Sequence, residues 1–256
     1  MKIASAQIES SVGNIRFNLE HHYRMIEFAG QNGVDLIAFP EMSITGYCRE
    51  EGKALAFNIN DARLNKLKAL SQKFKIAIIA GAPIEIQGKL FIGSFIIKPG
   101  ERLEIYTKQF LHSGEDKFYN HSFYYNPIIE LRKERISLAI CADINCELHP
   151  RNAKRNKCTI YVSSIFFSAN GIDQGHKMLS EYAKENEFMI LMSNYCGKHW
   201  NLESGGKSAF WDKEGKLLAE LDSGNAGLLI AEQKSDNWTA NIFEERAKRL
   251  VQGTEC

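Results

Sequence analysis

The chain has 256 residues, 44% hydrophobic and 25% charged, which excludes disordered, collagen-like and coiled-coil classes and leaves enough length for a sizeable core. Its 32 Lys+Arg offset 31 Asp+Glu to leave +1, so no long-range field points to nucleic acid or an anionic membrane as partner. Six cysteines (48, 141, 146, 158, 196 and 256) form no CxxC pair, the first residues are too short an apolar run for a secretory signal, and no stretch approaches the roughly 20 apolar residues of a membrane span, so a cytoplasmic protein is expected.

No Pro/Gly/Ser-rich linker or repeat divides the chain, and one domain over 1–256 is expected. Ile3 to Ile8 reads as a strand. Ile15, Leu19, Tyr23, Ile26 and Ala29 recur at helical spacing, with Gly33 where a left-handed cap belongs. Val34 to Phe39 predicts a second strand, and Asp61 to Phe74 a helix. Strands follow at Ile76 to Ala80, Ile84 to Ile86 and Leu90 to Ile97, the last two joined through Gln87-Gly88 as a hairpin. Pro99-Gly100 turns the chain into Leu103 to Tyr106. The second half predicts strands at Ile136 to Ile140, Thr159 to Ser163, Met189 to Ser193, Ser208 to Trp211, Leu217 to Leu221 and Gly227 to Ala231. Helices are expected near Glu147 to Asn156 and Asp173 to Glu187. Crossovers and hairpins together imply α/β layers around a mixed sheet or two packed sheets.

Ligands of α/β sheets gather beyond the carboxyl ends of strands. Three reactive side chains stand there: Glu41 after Leu36-Ile37-Ala38-Phe39-Pro40, Lys108 after Ile105-Tyr106-Thr107, and Cys141 after Ile136 to Ile140. A thiol at a strand-to-helix junction feels the helix dipole, which favours thiolate, as does a nearby lysine. A carboxylate within reach would take the thiol proton and return it to a leaving amine, and the lysine with the Ala142 N–H would hold an oxyanion. Taken singly, Cys141 also reads as a buried strand-end cysteine and the two charges as loop residues.

Asp35-Leu36-Ile37-Ala38-Phe39-Pro40-Glu41 with Thr45-Gly46-Tyr47, Tyr106-Thr107-Lys108-Gln109-Phe110-Leu111, and Ile140-Cys141-Ala142-Asp143 with Pro150-Arg151-Asn152-Ala153 follow one another in order. They resemble the glutamate, lysine and cysteine motifs of the nitrilase superfamily, the carbon–nitrogen hydrolases, and the likeness covers essentially the whole chain. It implies a four-layer α-β-β-α sandwich, association as a homodimer or higher homo-oligomer, and no cofactor or metal. It also implies Cys141 as nucleophile, Glu41 as base and acid, and Lys108 as oxyanion stabiliser. Glu115 matches the family's second glutamate, with a surface carboxylate as its other reading. The run Asp143 to Pro150 departs from the usual arginine or aromatic followed by Pro-Glu, which leaves the substrate contacts beyond Cys141 open.

The resemblance implies cleavage of a non-peptide C–N bond in a small linear amide or N-carbamoyl compound. A nitrile substrate and a silent family member acting by binding are the alternatives. Substrate contacts are expected from Ala142, Tyr47, Phe166 and Tyr195, within aromatic-rich loops that also include Phe118, Tyr119, Phe123, Tyr124, Tyr125, Phe167 and Trp200. Arg49 is the candidate for a substrate carboxylate, and Cys196, which follows a strand, is placed near the pocket. Cys146 and His149 with Cys141 lack a fourth zinc ligand. Gly206-Lys207-Ser208 lacks the first glycine of a phosphate loop, and Arg151 to Lys157 reads as a solvated helix face.

Overall fold

The computed structural model describes residues 1–235 and 237–244, which places Cys256 outside the described residues. Strand β1 (Lys2–Gln7) leads into helix α1 (Ile15–Gln31), whose first turn is capped by the Asn14 side chain accepting from the Phe17 amide. Leu19, Tyr23, Ile26 and Ala29 form its buried face, and Gly33 leaves the helix at φ 70°. Strand β2 (Leu36–Ala38) is shorter than the apolar run predicts, because the chain turns at Phe39 toward the site. A single-turn helix α2 (Gly52–Leu55), absent from the sequence reading, precedes α3 (Asn65–Phe74), to which the first turn of the predicted helix contributes only a 3-10 segment.

The runs predicted as two strands at 76–80 and 84–86 are one, β3 (Ala77–Ile86), despite the interior Pro83. The Pro83 carbonyl accepts from the Phe57 amide, so its missing N–H faces the side where β2 has already ended at the Ala38–Ile79 pair. Gln87 and Gly88, at φ 52° and 76°, turn β3 into β4 (Lys89–Ile97) as the hairpin expected. Strand β5 (Glu104–Thr107) completes the first half. The second half runs β6 (Ile129–Leu131), β7 (Glu134–Ile140), α4 (Leu148–Arg155), β8 (Ile160–Ser164), α5 (Ile172–Asn186) and β9 (Met189–Ser193). It continues with the short pair β10 (Lys198–His199) and β11 (Leu202–Glu203), then β12 (Ala209–Trp211), β13 (Leu217–Glu220), β14 (Gly227–Lys234) and β15 (Asn237–Glu244). The short β6, β10 and β11 carry too few residues for a period to show, and β15 alternates with mostly exposed positions, so the sequence does not mark them.

These strands build a seven-stranded sheet, β15-β14-β1-β2-β3-β4-β5, and a six-stranded sheet, β13-β12-β9-β8-β7-β6. Between them lies a core to which Ile3, Leu36, Ile79 and Ile96 contribute from the first sheet and Leu138, Val162, Leu191 and Phe210 from the second. The outer face of the first sheet packs on α1 and α3 through Ile26, Leu67, Ile37 and Ile78, and that of the second on α5 through Leu179, Ala183, Tyr161 and Ile190. The layers are therefore α-β-β-α. Ser5 on β1 and Ser193 on β9 bridge the sheets, their hydroxyls 2.9 Å apart, with Ser193 donating on to the Ala38 carbonyl. No helix among the described residues is long and apolar enough to cross a membrane.

Candidate active site

Strands β2 and β5 run parallel within the first sheet, so their carboxyl ends lie at the same end of it. The second sheet stacks so that the end of β7 meets them there. Beyond β2 the chain folds into a buried turn carrying Glu41. Met42 sits at φ 50°, and its amide comes so close to Gly81 that a Cβ on Gly81 would lie 2.5 Å from it. Helix α1 supports this turn from behind: Asn18 Nδ2 donates to the Ile44 carbonyl, and His22 Nε2 pairs with the Ser43 hydroxyl at 2.9 Å.

Lys108, the residue after β5, is fully buried, and its ammonium donates to Glu41 Oε1 at 2.7 Å and to Glu115 Oε1 at 2.9 Å. Glu115 also accepts from the Tyr47 hydroxyl at 2.9 Å and the His112 amide at 2.7 Å. Burial works against the Lys108 charge, but Glu41, Cys141 and Glu115 outweigh it and hold the ammonium above its ordinary range. Burial raises the Glu41 carboxyl from 4.5 to about 7, with the Lys108 charge opposing. Its Oε2 is buried, and no described group donates a well-formed hydrogen bond to it.

Cys141 begins a 3-10 turn, Cys141–Asn145, at φ 42°, a left-handed backbone that costs a residue with a Cβ of order 1 kcal/mol. The sequence reading expected a helix dipole to favour thiolate. The turn is instead a short 3-10 segment, and α4 starts only at Leu148. Burial, followed by the neighbouring Glu41 charge, pushes the Cys141 thiol up against the pull of Lys108. The resting pair is therefore a thiol beside a carboxyl group of raised affinity for protons.

The turn is fastened by Asp143, a residue to which the sequence pattern by itself gives no role. Its buried carboxylate accepts from the Ile140 amide at 2.9 Å, from the Gln109 and Phe110 amides at 2.8 Å, and from the Tyr106 hydroxyl at 2.6 Å. The cysteine turn and the lysine segment are thus tied through one side chain. The signal available in sequence was a carboxylate two residues beyond the nucleophile in an otherwise apolar stretch. His149 spends its ring nitrogens on the Tyr106 and Tyr161 hydroxyls, at 2.9 and 2.7 Å, which removes it from the zinc set considered with Cys146. Among the described residues no group of three or more His, Cys, Asp or Glu is placed to hold a metal ion.

Cys141, Glu41 and Glu115 line a cavity of about 250 Å³ together with Tyr47, Arg49, His112, Asn145, Phe166, Phe167, Ser168 and Trp200. Tyr47 and Phe166, expected as substrate contacts, are among its lining. Tyr195 is not: it is fully buried behind the glutamate turn, its hydroxyl donating to the Glu41 carbonyl, so it supports the site and does not line the cavity. Cys196 is likewise fully buried and outside the lining, its amide bonded to the Ile8 carbonyl, because the chain after β9 crosses back to β1. Ala142 is buried and offers the cavity no side chain. Of the other loop aromatics, Phe167 and Trp200 reach the lining, whereas Phe118, Tyr119, Phe123, Tyr124 and Tyr125 do not.

Residues 2–241 match the model of the carbon-nitrogen hydrolase family. The chain is 23% identical over 262 aligned residues to a glutamine-dependent NAD(+) synthetase of Aquifex aeolicus, covering 98% of this chain but 44% of that protein. It thus spans under half the length of that relative. It is 24% identical to the deaminated glutathione amidase of Synechocystis, covering 91% of this chain and 92% of the relative. The solved structure of the NitN amidase from Neterenkonia sp. AN1 superposes with a TM-score of 0.83 at 21% identity, over 92% of this chain and 94% of that one. With the family match running from β1 into β15, the chain belongs to the carbon-nitrogen hydrolase family.

Proposed function

We propose that the chain hydrolyses a non-peptide C–N bond of a small linear amide or N-carbamoyl compound, with Cys141 as nucleophile. The observation that carries the reading is the buried Lys108 ammonium bonded at once to Glu41 and Glu115, the two carboxylates that line one cavity with Cys141. A buried lysine between two carboxylates holds its charge where a carbonyl oxygen would turn anionic. The amidases among the chain's relatives support the same reading.

In this mechanism Cys141 Sγ bonds to the amide carbon as its proton passes to Glu41, and the carbonyl π electrons move to oxygen, stabilised by Lys108 and the Ala142 amide. Glu41 then protonates the leaving nitrogen, the C–N bond breaks, and ammonia or an amine departs to leave a Cys141 thioester. Glu41 next takes a proton from water, whose oxygen attacks the thioester; collapse expels the Cys141 sulfur, which is reprotonated, and releases the acid. Glu115 orients Lys108 throughout. The thiol's raised pKa suits this path, because proton removal accompanies attack and a standing thiolate is not required.

The test presents wild-type protein and Cys141→Ala with matched primary amides, nitriles and N-carbamoyl compounds, measuring ammonia and the intact mass. Ammonia from an amide, with an acyl mass on the wild-type chain and neither on the variant, is the expected result. Turnover of nitriles alone would move the substrate to the C≡N group, and a Cys141→Ala protein with full activity would end the assignment.

A further inference from the structure

We infer that the cavity takes an amide whose far end carries a carboxylate, and that Arg49 receives that carboxylate. The inference rests on the hydrolase reading of the same cavity and names its substrate class. Arg49 lines the cavity with Cys141 and Glu41. Its Nε donates to the Tyr47 hydroxyl at 3.0 Å, and Tyr47 donates in turn to Glu115 at 2.9 Å. The guanidinium carbon lies 4.5 Å from the Trp200 ring centroid. Gly114, at φ 82°, gives it room: a Cβ there would stand 3.0 Å from Arg49 Nη1. The guanidinium is therefore held by its inner nitrogen, a ring face and a bare backbone. Among the described residues no carboxylate forms an ion pair with it.

The two acids of the cavity are already engaged by Lys108. Arg49 thus brings to the wall a positive charge separate from that of the buried Lys108, in the planar form that pairs with a carboxylate through two parallel hydrogen bonds. Phe166, Phe167 and Leu202 line the same cavity as Arg49 and the reacting thiol and offer apolar surface suited to methylenes. A volume of about 250 Å³, that of roughly eight liquid waters, fits a short chain with an amide at one end and an anion at the other. A neutral amide would leave the guanidinium without an anionic partner, and an amine at the far end would be repelled.

The probes are glutaramate and its neutral analogue pentanamide, assayed on wild type, Arg49→Gln and Arg49→Lys, with melting temperature reporting the fold of each. Wild-type kcat/KM is expected to favour glutaramate by about tenfold or more, the weight of a charge-assisted pair. Arg49→Gln is expected to reduce that ratio by at least about tenfold, chiefly through the KM for glutaramate, with Arg49→Lys between the two. Equal wild-type values, or a ratio that Arg49→Gln does not move, overturn the inference while leaving the hydrolase reading in place. Calorimetric binding of glutaramate to Cys141→Ala, with and without Arg49→Gln, separates the two claims. Binding that depends on Arg49 in a protein whose wild type hydrolyses no amide would keep the carboxylate site and end the hydrolase reading; binding indifferent to Arg49 ends the carboxylate site.

Discussion

The Tyr106 hydroxyl, on β5 of the first sheet, donates at 2.6 Å to Asp143, which follows β7 of the second. Because the same carboxylate accepts the Gln109 and Phe110 amides, the segment carrying Lys108 and the turn carrying Cys141 cannot shift independently. Asp143→Ala would strand buried donors in both. Leaving each without a partner costs about 1–3 kcal/mol, so a loss of about 3 kcal/mol or more is expected in denaturant unfolding. Asp143→Asn keeps the shape but turns donors toward donors, and its kcat is expected to fall by at least about tenfold even where the fold persists. Normal stability and turnover in Asp143→Ala would show that the tie carries nothing.

Lys108 separates two buried carboxylates, so Lys108→Met is expected to cost about 3–5 kcal/mol by leaving them without their cation. Adding Glu41→Gln to Lys108→Met removes one of the stranded charges, and the double variant should recover part of the loss. Urea unfolding of the single and double variants measures the coupling; simple additivity would mean that the three groups do not act as one unit.

Position 141 combines a left-handed backbone with a side chain. Cys141→Gly is expected to be more stable than Cys141→Ala by about 1 kcal/mol, since glycine meets no Cβ penalty at that φ. Both variants should be inactive if the thiol is the nucleophile. Equal melting temperatures would show that the turn relaxes around alanine.

The raised Glu41 carboxyl has two consequences for pH. As a base it acts deprotonated, so kcat/KM should rise with pH through an inflection near 7. For stability the sign is opposite: between its ordinary 4.5 and about 7 the folded state holds a proton that the unfolded state has lost, so this group lowers stability as pH rises through that window. Glu41→Gln should flatten that part of the stability profile. An unchanged slope in the variant would place the titration on another group.

Much of the layering was legible because its causes are local. The spacing of Leu19, Tyr23, Ile26 and Ala29, the Gly33 exit and the Gln87-Gly88 turn each act within a few residues. Strand β3 reads as two runs in the sequence, and that Pro83 does not interrupt it depends on where β2 ends, which no local pattern records. Membership of an aromatic-rich loop points Tyr195 to the pocket and position after a strand points Cys196 there, whereas the direction of both is fixed by the crossing back to Ile8 on β1's side of the molecule.

The order of the elements and the placement of Glu41, Lys108 and Cys141 after strands belong to the sequence, through periodicity and turn chemistry that neighbouring residues complete among themselves. Their meeting does not. Lys108 and Glu41 are 67 positions apart and touch at 2.7 Å only because parallel β2 and β5 finish at the same end of the sheet. Cys141 joins them because a second sheet packs on the first and Asp143 ties its turn to the lysine segment. Which aromatic groups face the cavity, and that Arg49 stands there held by Tyr47 and Trp200, follow from the same closure of distant segments.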